Sequence, residues 1–286
     1  CMRTVKKAPK GRFKEGFARV LFLLAACVSI LAVILICVFL LANGIPAIRE
    51  VGLFKFLSGK VWRPGNDIYG ILPMIVGSLY ITAGAILFGV PTGILTALYL
   101  SRFASRPAAK ILNPAVELLA GIPSVVYGFF GLVVIVPVLG SSILTASILL
   151  GIMILPTIIT VAKSSLDAVP QTYYEGALAL GATHERSVFK ILFPAARSGV
   201  LAGVVLGIGR AIGETMAVMM VAGNQPRITG NLLKGIRTLT TNIVLEMGYA
   251  TDLHREVLIA TALVLFVFIL LLNLSFSALK RRSETV

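Results

Sequence analysis

The sequence predicts an all-α membrane protein, and three observations predict it. Apolar residues make up 57% of the 286 residues and charged ones only 13%, whereas a soluble domain runs nearer half apolar and a quarter charged. The uncharged residues gather in runs of about 20 or more, the length that crosses a bilayer core as a helix. The strict alternation over about 10 residues that marks a membrane β-barrel strand is missing from these runs.

The charges fit that class. A net charge of +14 would point to nucleic acid in a soluble chain. Here the basic residues bracket the apolar runs, so they read as orientation signals and no nucleic-acid partner is expected. Three cysteines make no disulfide framework. Cys27 and Cys37 share one run and stand roughly 15 Å apart if it is helical, too far to bridge. Cys1, before Met2, has no role assigned.

In order, residues 1–19 form a basic cytoplasmic segment with Arg3, Lys6, Lys7, Lys10, Arg12, Lys14 and Arg19 against Glu15. The first span, Val20 to Ala42, is too long for a signal peptide and lacks a small-residue cleavage site, so it reads as an uncleaved helix. Asn43 to Tyr69 is a mixed external loop with Trp62, Pro64 and Asp67. The second span runs from Ile71 to Leu100, with Pro73 and Pro91 as the sites of any break and Gly89 and Gly93 as a close-packing pair. A basic loop, Ser101 to Lys110, leads to a third span, Ile111 to Val138, interrupted by Pro114, Pro123 and Pro137 and holding Glu117. The fourth span, Ile143 to Ala162, follows a tight turn. The polar segment 167–197, the fifth span, a second outer loop from Gly223 to Arg255, the sixth span from Val257 to Leu279 and a cytoplasmic tail at 280–286 complete the chain. Residues 20–279 thus form one six-helix domain.

Six spans put both termini on one side. The termini and the loops on their side hold 17 Lys and Arg residues, the opposite loops 8, and Arg210 lies inside a span. Basic excess marks the cytoplasm, so both termini and segment 167–197 are expected there, and the fifth span runs from inside to outside.

That fifth span, GVLAGVVLGIGRAIGETMAVMMVA, contains Arg210 and Glu214. As one continuous helix it places Gly199, Gly203, Gly207, Arg210 and Glu214 within an arc of about 80°. Arg210 then lies roughly 18 Å into the membrane. A charge at that depth costs about 2.5–3.5 kcal/mol on insertion scales and should face protein or a water-filled path. One reading is a self-neutralising i,i+4 pair. The other is an anion gate, with Arg210 attracting the substrate by its planar fork and Glu214 limiting how tightly it is held. Phosphate, sulfate, molybdate or a carboxylate would suit such a group equally. Glu117, about 9 Å inside the cytoplasmic boundary, reads as snorkelling to the interface or, second, as a substrate contact.

Segment 167–197 carries the clearest motif. Glu175-Gly176-Ala177, then Gly181, then Ile191-Leu192-Phe193-Pro194 resembles the EAA signature of ABC-importer permeases: Glu-Ala-Ala, three residues, Gly, nine residues, Ile-x-Leu-Pro. Gly176 and Phe193 depart from it, but the spacing is kept. The resemblance implies a type I importer permease whose coupling helices dock in a separate ATPase. No G-x-x-x-x-G-K-[ST] occurs in the chain, so nothing here cradles a nucleotide's phosphates. The chain reads as a non-catalytic pathway without cofactor or metal, with ATP and Mg²⁺ in the partner.

Gly209-Arg210-Ala211-Ile212-Gly213-Glu214-Thr215-Met216-Ala217-Val218 is similar to the phosphate-specific transport (Pst) permeases, and its Met-Ala-Val to their PstC type. The stretches Glu117 to Gly128 and Tyr69 to Pro73 resemble them too. That resemblance implies phosphate as substrate, a homologous PstA-like permease, two PstB-like ATPase subunits, an external PstS-like phosphate-binding protein and a bacterial cytoplasmic membrane. A permease for another oxyanion, an ATP-independent secondary transporter and a structural membrane subunit are the alternatives.

Overall fold

The computed structural model describes residues 11–284. Residues 1–10, with Arg3, Lys6, Lys7 and Lys10, lie outside the described residues, as do 285–286 and the side chains of the basic tail. Among the described residues four helices are long and apolar enough to span a membrane alone, and two bent pairs complete the predicted six if each pair is one span.

The first spanning helix, α1 (Gly11–Val51), encloses the predicted first span. The outer loop then folds into a short helix, α2 (Leu53–Ser58), and a two-stranded antiparallel hairpin, β1 (Trp62–Arg63) with β2 (Ile68–Tyr69), in which Trp62 pairs with Tyr69. Asp67 makes the turn at φ 53°. α3 (Leu72–Leu98) is unbroken, contrary to the break expected at its prolines. Pro73 falls in the first turn, where no helical N–H is needed, and the helix runs on through Pro91.

The expected single third span is a pair of helices, α4 (Arg106–Gly121) and α5 (Ser124–Phe130), the latter extended by a π-helical turn (Gly131–Ile135) and α6 (Val136–Leu139). They meet at 98°. Of the three prolines only Pro123 breaks the chain. Ile122 before it is extended at φ −69°, ψ 126°, because the proline ring disfavours helical geometry in the residue it follows. Pro114 is carried inside α4, and Pro137 sits in the first turn of α6.

α7 (Ile143–Asp167) is the axis of the domain. Two-thirds of its most apolar stretch is buried, against none of α1. Segment 167–197, expected to couple to an ATPase, contains α8 (Gln171–Ala179), α9 (His184–Ser187), a π-helical turn (Val188–Leu192) and α10 (Phe193–Ala195). It bends by 69° into α11 (Arg197–Gly213). The expected continuous fifth helix stops there: Glu214 is extended at ψ 131°, and α12 (Met216–Val221) starts afresh. α13 (Leu239–Met247) and α14 (Asp252–Glu284) follow.

Glycine explains why α7 is central. Apolar helices gain little by leaving apolar lipid, so close backbone packing decides their association. A Cβ on Gly89 or Gly93 of α3 would stand 2.8 or 2.9 Å from Ile154 or Ile158, and one on Gly207 of α11 2.8 Å from Ile158. Gly199 meets Ser165 and Gly203 meets Val161 in the same way. The predicted stripe therefore clamps α11 onto α7. The outer loop closes the other end of α7: the N–H groups of Ser142, Ile143 and Leu144 donate to the carbonyls of Val221, Lys234 and Leu232 at 3.0–3.1 Å, satisfying donors that a helix start leaves unpaired.

Candidate functional site

Arg210 lies on the last turn of α11, about 20 Å along it from Arg197. It is half-buried, and its Nη1 donates to Thr157 Oγ1 of α7 at 3.3 Å. Glu214 stands beyond the helix end, and no ion pair joins it to Arg210. The two charges therefore do not share a continuous helical face, because the backbone turns to extended geometry between them. Instead Glu214 Oε1 accepts the Ala217 N–H at 3.2 Å, capping α12, while its carbonyl accepts from Thr240 Oγ1 at 3.1 Å. A Cβ on Gly209 or Gly213 would meet nothing within 4 Å; Gly209 opens on a crevice lined by Ile269 and Leu272 of α14. Tyr127 of α5 is buried. It lies within electrostatic range of Arg210 and donates to the Leu119 carbonyl across the α4–α5 bend at 2.9 Å. Glu117 is exposed on α4 and makes no hydrogen bond or ion pair among the described residues.

The coupling turn is built by backbone capping. Gly181, at φ +82°, follows α8; its N–H donates to Leu178 and that of Ala182 to Ala177, at 2.9 and 3.1 Å. These are the two bonds of a Schellman motif, which needs a left-handed residue at this position. Thr183 Oγ1 then caps α9 by accepting the Arg186 N–H at 3.3 Å. Ala177 is buried, whereas Glu175 and Gly176 are exposed and Leu180, at the tip, is 91% exposed. A methyl on Gly176 would meet nothing within 4 Å, so this departure from the motif removes no contact. Leu192 is fully buried and Phe193 packs on the same cluster, whereas Ile191 is half-buried and Pro194 is exposed before the bend. Within the segment His184 Nδ1 bonds Tyr174 Oη of α8 at 2.8 Å, and the His184 ring packs on the stretch after α3, its centroid 4.8 Å from that of Phe103.

A third group was not legible in the sequence. Glu246 of α13, buried, accepts from Trp62 Nε1 at 2.9 Å and Arg237 Nη1 at 2.5 Å, and lies 2.9 Å from His254 Nε2. Arg237 also holds Asn242 and the Asn224 carbonyl, each at 3.0 Å. Tyr69 stacks edge-on against Trp62; burial first, then its hydrogen bond to Asp67, raises its phenol above the ordinary value. The four central residues span nearly 200 positions, so no local spacing announces them. The single tryptophan and a lone acid in TNIVLEMGY were the available signals.

A family model described as "Binding-protein-dependent transport system inner membrane component" matches residues 89–285, well over half of the chain. The chain belongs to that family. This permease is 36% identical over 289 residues to a probable ABC transporter permease, YqgH, of Bacillus subtilis, covering 95% of this chain and 94% of that one. It is 36% identical over 261 residues to the phosphate transport system permease protein PstC of Mesorhizobium japonicum, covering 82% and 80%. Among solved structures it is similar to a bacterial ABC transporter involved in import of the acidic polysaccharide alginate (TM-score 0.65, 16% identity, 95% and 99% covered). It is likewise similar to the MetNI methionine ABC transporter (TM-score 0.63, 18% identity, 78% and 99% covered). The fold is that of type I ABC importer permeases, in a multi-pass protein of the inner membrane. The permease's coupling turn and Arg210 both fall within the matched residues.

Proposed function

We propose that this permease is the PstC-type half of an ATP-driven importer of inorganic phosphate. One structural observation supports the reading above the others: a half-buried guanidinium inside an apolar span, bonded to a threonine of the neighbouring helix and set one turn before a helix break. An isolated buried arginine would be costly, and one facing a path for an anion is not. Phosphate as the anion rests on the phosphate permeases named among the relatives.

In this reading the exposed tip of the coupling turn inserts into one of two PstB-like ATPase subunits, which hold ATP and Mg²⁺, and this chain carries out no hydrolysis itself. A PstA-like permease completes the path, and a PstS-like binding protein delivers phosphate from outside. Both termini are cytoplasmic. Nucleotide binding draws the turns of the two permeases together, and the Gly199–Gly203–Gly207 contact carries the movement to α7. Glu214, tied to Thr240 of the outer loop, belongs to the outer gate.

Uptake of labelled phosphate, sulfate and molybdate by the reconstituted complex tests this. Phosphate should be carried preferentially, and equal flux of all three would refute the substrate. Arg210→Ala should assemble and lose uptake; loss of assembly instead would make Arg210 a structural residue.

A further inference from the structure

We infer that Thr157 is a specificity-determining residue of the anion path, holding Arg210 in register and adding a hydrogen-bond donor of its own. The inference rests on the reading of Arg210 as the anion contact. Three observations carry it.

First, Arg210 is positioned by Thr157 and not by Glu214. The guanidinium donates to Thr157 Oγ1 at 3.3 Å, while the Glu214 carboxylate is spent on the start of α12. Second, the register is set one turn away. Gly207 sits on Ile158, the neighbour of Thr157, so closely that a Cβ would come within 2.8 Å. Third, the hydroxyl proton of Thr157 has no acceptor among the described residues. Thr and Ser side chains in helices commonly donate to the carbonyl four residues earlier. In this chain Thr92, Thr96, Ser165, Thr261 and Ser275 do so; Thr157, like Thr82 and Thr160, does not, and of these three it alone meets the Arg210 guanidinium.

A hydroxyl that accepts from the guanidinium keeps its own O–H free. Arg210 and Thr157 together therefore present donors from two helices to one point at mid-membrane. Such a pair suits a compact tetrahedral oxyanion with oxygens pointing in several directions. A protonated oxygen of a hydrogen phosphate needs an acceptor in turn, and the hydroxyl oxygen of Tyr127 on α5, within electrostatic range of Arg210, can supply it. Sulfate, with no proton to donate back, fits the acceptor side of such a site less well.

The test uses the complete reconstituted importer, with Thr157→Val, which keeps the shape and removes the hydroxyl, and Thr157→Ser, which restores it. The valine variant should assemble and keep its ATPase stimulation by loaded binding protein. Phosphate uptake should fall about tenfold, the effect of one charge-assisted hydrogen bond, and the phosphate-over-sulfate ratio should narrow. Serine should return both to within about twofold. Unchanged uptake and selectivity in Thr157→Val would overturn the inference, as would loss of assembly in both variants, which would make Thr157 a packing residue. Arg210→Ala is run beside them. If it transports normally, the reading of Arg210 fails and this inference with it. If it is inactive while Thr157→Val is normal, only the inference fails.

Discussion

The two polar ends of this permease solve the same problem in opposite ways. At the inner end, the coupling turn satisfies its backbone with bonds between residues three to five apart, from Gly181, Ala182 and Thr183. Its side chains, Glu175 and Leu180 among them, are left exposed. At the outer end, Glu246 gathers Trp62, Arg237 and His254 from three separate segments and buries the charge. A turn whose backbone is satisfied locally, with only its inner side chains packed on the helices beneath, leaves its tip free to meet another protein. A long-range buried cluster uses its side chains to hold its own loops together.

The largest expected effect breaks the outer side of that contrast. Glu246→Ala leaves Arg237, a largely buried positive group, with only the neutral acceptors of Asn224 and Asn242, and the Trp62 N–H with none. The penalty should be about 3–5 kcal/mol, read as a marked fall in the thermal unfolding midpoint in detergent. A loss below about 1 kcal/mol would mean that the cluster does not hold the outer loops together.

Leu180→Ser should leave stability unchanged, because the side chain touches little within this chain. It should weaken binding to the ATPase by about tenfold, the value of burying a leucine at an interface. An effect on folding and none on association would reverse the comparison. Gly181→Ala comes next: a β-carbon at φ +82° costs about 1–2 kcal/mol. That cost should loosen the turn locally and speed amide exchange at Gly181 and Ala182, with the outer loops unaffected.

The smallest effect is Gly176→Ala, which should change stability by less than about 0.5 kcal/mol and slightly favour α8, since alanine is the better helix former and meets open space there. ATPase coupling should be retained. A loss would indicate that a partner, and not this chain, requires the glycine.

This contrast also explains what could be read in advance. The turn at Gly181 was legible because its shape depends on local spacing: Gly181 four residues after Ala177 is a geometric demand of one helix end. The glycines of α11 were legible as a packing stripe for the same reason. The helix break at Glu214 was not, since Gly-Glu-Thr-Met has ordinary helical periodicity and nothing in the run forbids a helix. What favours the break is long-range: Thr240 holding the Glu214 carbonyl, and the capped start of α12. Pro91 and Pro123 make the same point, one accommodated in a packed helix and one terminating it, with the same ring chemistry.

By itself the sequence determined the apolar spans, the unequal share of basic residues between the two sides and the EAA-like motif. Each depends on length, composition or spacing along the chain, and lipid imposes those requirements on any helix. The tertiary structure alone decided that the glycine stripe faces α7, that Arg210 pairs with Thr157 and not with Glu214, and that Glu246 is buried among Trp62, Arg237 and His254. Those partners are chosen by close approach between helices far apart in the chain, a contact energy that no local pattern of residues encodes.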